Sequence, residues 1–146
     1  MKLNLFSSII ILMGLISACE CDDMTPTKPE RDVFNQEFYV DKGAIALTNK
    51  VGHYLVSMYF IQPIDQRSAQ IDKSIILHGF KAISEVAVVE GGNYLFFYAE
   101  RVDCQNCIPE IILKGDGPFP IKSTKGYFLD GNKDGLPGGD YTLEMK

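Results

Sequence analysis

Four acids and amides near the C-terminal end have the types and spacing to hold a hard cation. Asp130-Gly-Asn132-Lys-Asp134-Gly135 places oxygen side chains at alternate positions before a glycine. That is how the opening half of a calcium loop is built, and Asp140 stands a few residues further on. Asp130 and Asp134 would repel each other if brought together bare, and calcium would relieve the repulsion. The place of an EF-hand's bidentate glutamate is taken by Tyr141, and no helical pattern flanks the segment, so an EF-hand is excluded. Two readings stay open for Asp130, Asn132, Asp134 and Asp140: a calcium-stiffened loop, or the Asp, Asn and Gly that any turn uses.

Cys104-Gln-Asn-Cys107 has the spacing of thiol oxidoreductases, which activate the first cysteine at a helix N-terminus. Nothing around Val102 to Pro109 predicts such a helix, and no βαβ pattern surrounds it. The expectation is a structural disulfide closing a small loop between strands, with thiol-redox work as the rival. Zinc held by Cys104, Cys107, His53 and His78 is disfavoured, because the two histidines lack ligand spacing. Glu85, Glu90 and Glu100 read as carboxylates on the wet side of a hairpin. The Tyr and Phe of residues 94–98 offer rings for sugar stacking, although alternation sends about half of them inward. There is no nucleophile elbow, phosphate loop or dinucleotide fingerprint. The expectation is a non-catalytic protein.

Strands must position these residues. Tyr54, Val56, Met58 and Phe60 alternate with Leu55, Ser57, Tyr59 and Ile61, a period of two with both faces largely apolar, until Pro63 ends the run. Val56, Met58 and Phe60 should therefore share one buried face. Ile75 to Leu77 and Ile111 to Leu113 are further runs. Val86 to Val89 and Tyr94 to Tyr98 flank the hairpin signal Glu90-Gly-Gly-Asn93. Tyr141, Leu143 and Met145 alternate with polar neighbours, and one more strand is expected from Phe38–Val40 or Ala44–Leu47. No window carries a capped helical period, so the class is all-β.

The N-terminal segment is an address. Lys2 precedes an apolar stretch from Leu5 to Leu15, too short to span a bilayer comfortably, which ends in Ile-Ser-Ala-Cys19. That order resembles the lipobox of bacterial lipoproteins. The resemblance implies a signal peptide over 1–18, cleavage before Cys19 and acylation of its thiol. Each buried methylene contributes about 0.8 kcal/mol, so two or three acyl chains hold a protein on a membrane almost permanently. Cys19-Glu-Cys-Asp-Asp23 resembles the acidic surface-export signal of some bacterial lipoproteins, with Cys21 departing from it. It implies an outer-membrane anchor, with possible surface exposure. Residues 19–34, acidic and carrying Pro26 and Pro29, read as a tether, leaving one domain over 35–146.

Within that domain, Tyr54 to Asp65 with Phe60, Pro63 and Asp65, and the Gly-rich Lys125 to Tyr141, resemble bacterial Ig-like domains of the S-layer type. The resemblance implies an Ig-like Greek-key β-sandwich of about seven strands, and a structural or adhesive module that binds protein or glycan. A calcium-dependent ligand-binding module is the alternative from the loop at Asp130, and a periplasmic thiol-redox protein the alternative from the cysteine pair. Composition agrees with a globular domain: 46% hydrophobic residues and 23% charged fit neither a disordered chain nor a multi-span membrane protein. A net charge of −5 leaves no electrostatic footprint for nucleic acid.

Overall fold

The computed structural model describes residues 37–89, 91–105 and 107–145. The stretch expected to be a signal peptide (1–18), Cys19, Cys21 and the stretch expected to be a tether (19–34) lie outside the described residues, as do Glu90 and Asn106.

The chain builds an all-β sandwich of two antiparallel sheets. The elements are β1 (Val40–Leu47), β2 (His53–Phe60), β3 (Ile75–His78), β4 (Phe80–Ala82), β5 (Ala87–Val88), β6 (Tyr94–Arg101), β7 (Glu110–Leu113) and β8 (Tyr141–Glu144), with one 3-10 turn at Gln66–Ser68. The larger sheet runs β1-β2-β6-β4, with β5 also paired to β6; the smaller runs β3-β7-β8. The described strands number eight against the seven or so expected, the two-residue β5 among them. Of the two candidate strand positions, 44–47 lies within β1, whereas of 38–40 only Val40 does, Phe38 and Tyr39 preceding the strand.

Alternation builds the interior. Tyr54, Val56, Met58 and Phe60 on β2 and Leu95, Phe97 and Ala99 on β6 are buried. Their register pairs them directly, Val56 with Phe97 and Met58 with Leu95. The smaller sheet adds Ile75, Ile111 and Leu113 from the opposite side. Phe38 stacks on Phe60 with ring centroids 5.4 Å apart, and Tyr54 meets Phe80 edge-on at 5.6 Å. The long segment between β7 and β8 contributes Ile121 and Leu129 to the core and is held by backbone bonds such as Asp130 N–H to Phe38 C=O at 2.8 Å.

Two local features place the residues discussed below. The chain crosses from the smaller sheet to the larger at Gly79, between β3 and β4; its φ of 69° is a left-handed conformation that glycine adopts freely. Between Val40 and Lys42 the register of β1 slips against β2, so Asp41 is an extra, bulged residue at the sheet's edge.

Candidate functional site

The segment from Asp130 to Asp140 closes on itself. Asp130 is almost fully buried, and its carboxylate accepts from the backbone N–H of Asp134 at 3.2 Å and of Gly135 at 2.9 Å. Asn132 donates its amide N–H to the Asp134 carboxylate at 3.0 Å, and the other Asp134 oxygen accepts from Leu136 N–H at 2.8 Å. Asp140 turns elsewhere: it pairs with Lys114 and accepts from Gly115 N–H at 3.1 Å. Thus Asp130, Asn132 and Asp134 come together as one hydrogen-bonded turn, while Asp140 belongs to a separate ion pair. A side chain at Gly131 would run into the backbone of Gly139, Asp140 and Tyr141, so the loop's two ends touch only because that residue is glycine. Among the described residues no three His, Cys, Asp or Glu side chains gather as a metal-holding group.

Cys104 and Cys107 are joined as a disulfide, with Cα atoms 5.6 Å apart. It sits on the connection between β6 and β7 and packs against the Gly79 corner, where an added β-carbon would stand 3.0 Å from Cys104 Sγ. His78 ends β3, and its Nδ1 lies 2.8 Å from Glu110 Oε1; His53 opens β2. The cysteines therefore bond each other, and His78 bonds a carboxylate.

Alternation has another consequence on the outside of the larger sheet. Turning Leu95 and Phe97 inward turns Tyr94, Phe96 and Tyr98 outward along β6, in register with Tyr59, Ser57 and Leu55 on β2. Tyr59 and Tyr94 ring centroids are 6.0 Å apart, Tyr94 and Phe96 5.9 Å, and Phe96 and Tyr98 6.4 Å. Tyr59 is 49% exposed and Tyr98 41%, while Tyr94 and Phe96 between them are half-buried, so the row presents part of its surface to water. On β1 the same face carries Lys42, Ala44 and Ala46. Small side chains at Ala44 and Ser57 beside large rings leave an open groove of about 340 Å3, lined by Asp41, Lys42, Ala44, Ser57, Tyr59 and Tyr94.

Among the described residues, no side-chain hydrogen bond or ion pair engages the groove's polar side chains. None of the hydroxyl hydrogen bonds among the described residues uses Ser57, Tyr59 or Tyr94. The ion pairs among the described residues leave out Asp41 and Lys42. A second open groove, about 370 Å3, lies by Arg67, Lys73, Phe119 and Lys122. There the hydroxyl of Ser68 bonds Asp65 C=O, that of Ser74 bonds Ser68 C=O, and Arg67 binds Asp65 at 3.0 Å, a bond that holds the Asp65 carboxyl below the usual carboxylate range.

The sequence names part of this outer site. Rings at 94–98 are evident, but the groove needs β1, with its bulge at Asp41, laid beside Ser57, and only the register shows that. The signal that was available is the apolar character of both faces of Tyr54 to Ile61, since a strand with one wet face would alternate with polar residues. Comparison with protein-family models, with curated proteins and with solved structures gives no match.

Proposed function

We propose that this chain is a lipid-anchored recognition module of the bacterial envelope, an Ig-like sandwich with an adhesive and non-catalytic role. The observation that carries this reading is the water-facing aromatic row of Tyr59, Tyr94, Phe96 and Tyr98. Exposed apolar patches on soluble domains mark contact surfaces, and tyrosine supplies contact area at small entropic cost. The N-terminal order of charge, apolar run, small residues and Cys19, followed by the acidic, proline-bearing stretch to residue 34, supports an acylated anchor and a spacer that presents the sandwich away from the membrane.

The test has two arms. Bacteria making the full chain are fed an alkyne-tagged palmitate; label should enter the protein and disappear in Cys19→Ala. The purified full chain, in detergent micelles, is then titrated onto immobilised envelopes of the same cells. Saturable binding lost in the Tyr59→Ser, Tyr94→Ser variant is expected. Absence of label overturns the anchor, and binding indifferent to the two tyrosines overturns the recognition role.

A further inference from the structure

We propose that the groove between β1 and the aromatic row binds a neutral, extended β-linked glycan, an assignment that rests on the recognition reading above and names its ligand. The groove offers one aliphatic hydroxyl (Ser57), one carboxylate (Asp41), one ammonium (Lys42) and the phenol rings of Tyr59 and Tyr94, and Phe96 continues the row of rings beyond it along β6. Sugars are bound by that combination. The axial C–H face of a pyranose lies against an aromatic ring, while its rim of hydroxyls both donates and accepts.

Charge and size select the occupant. From the Ala44–Ser57–Phe96 row to the Ala46–Leu55–Tyr98 row, β1, β2 and β6 place no formal charge on the outer face. Asp41 and Lys42, of opposite sign, stand at one end, and Lys81 with Glu100, 3.7 Å apart, at the other. A face balanced in this way has nothing to hold a polyanion or a basic peptide. The strip covers two to three strands and four residues along β6, on the order of 200 Å2. A stable dimer needs about 800 Å2 per partner, so a second copy is too large an occupant for it. Tyr94 and Phe96 lie 5.9 Å apart with their planes inclined by 32°, which suits two consecutive equatorial pyranoses stretched along β6, and Tyr98, edge-on to Phe96 at 86°, closes that end of the platform. A coiled α-linked chain would leave the row after one ring. The larger-volume groove at Lys73 and Phe119 lacks this set, since the hydroxyls of Ser68 and Ser74 are bonded inward.

The chain has seven tyrosines and no tryptophan, and Tyr59, Tyr94 and Tyr98 are three of them, so tyrosine fluorescence carries a signal from this face. The full chain, in a detergent without a sugar headgroup, is titrated with cellohexaose and with chitohexaose, and with α-linked maltohexaose for comparison. At least one of the two β-linked hexaoses should give a saturable change, with maltohexaose at least about tenfold weaker. Tyr94→Ala should weaken binding about tenfold, Tyr94→Phe should keep most of it, and Phe119→Ala in the other groove should change nothing. No saturable change with either β-linked hexaose, equal binding of maltohexaose, or full binding by a folded Tyr94→Ala protein overturns the assignment. If the hexaoses fail while envelope binding still depends on Tyr59 and Tyr94, the glycan falls and the recognition role stands. If both fail, both fall.

Discussion

The β-carbon that Gly43 lacks would stand 2.6 Å from the Tyr141 hydroxyl. Gly43 lies on β1 beside the groove, and Tyr141 opens β8 in the other sheet, so this contact sets how closely β1 approaches the smaller sheet. Gly43→Ala should destabilise the domain by about 1–3 kcal/mol, as overpacking does. Tyr141→Phe removes the oxygen in the way, so the double variant should lose less than the sum of the single losses by at least about 0.5 kcal/mol. Denaturant melts of the four proteins measure this, and strict additivity would mean the two residues do not meet.

The loop at Asp130 gives a second expectation. Asp130 is buried with both oxygens on backbone N–H groups, so Asp130→Ala strands those donors and should cost about 1–3 kcal/mol. Asp134, exposed, should cost about 1 kcal/mol or less. Calcium is the discriminating reagent. The internally bonded turn expects one melting temperature in millimolar calcium and in chelator. A rise in calcium that vanishes in Asp130→Asn, Asp134→Asn would make the turn a cation site.

Reduction tests the cysteine pair. The disulfide closes a very short loop, so its entropic contribution is about 2 kcal/mol. A reductant should lower the melting temperature by several degrees without unfolding the domain. An unchanged melt after complete reduction would contradict a stabilising role for the bridge.

The Asp65–Arg67 pair has a pH signature. The Arg67 guanidinium holds the Asp65 carboxyl below its usual range, so the carboxylate binds its proton less readily folded than unfolded. Its contribution is therefore present above the ordinary carboxylate value of about 4 and is lost as pH falls through the lowered folded value. Carboxyl NMR titration should show Asp65 as a low titrant that returns to the ordinary range in Arg67→Ala; an unchanged midpoint would contradict the pairing.

Most of the sandwich is legible where one face is buried. Val56, Met58 and Phe60 are each fully buried, as their alternation requires, and Ile75, Ile111 and Leu113 follow their apolar runs. β4 was not legible: Phe80–Ala82 is only three residues long, and it exists because Gly79 turns the chain from one sheet to the other. The turn at Asp130, Asn132 and Asp134 was legible as oxygens at alternate positions, but whether those oxygens face a cation or backbone N–H groups depends on the loop's path. Proximity in sequence groups Asp140 with them, whereas its partner Lys114 stands just past the end of β7, 26 residues earlier in the chain. The groove was the least legible part, since it arises from a bulge at Asp41 and a pairing between residues far apart in the chain.

The account turns on β2 and β6 having two faces with separate roles, and adjacent residues can test it in one experiment. Met58 points into the core and Tyr59 to water. Met58→Asp should leave no folded domain, because a buried carboxylate has no partner there. Tyr59→Ser with Tyr94→Ser should melt within several degrees of the parent, since an exposed aromatic pair contributes about 0.5–1.5 kcal/mol, yet lose binding to the immobilised envelopes. A folded double variant that binds as the parent does would contradict the recognition role of this face.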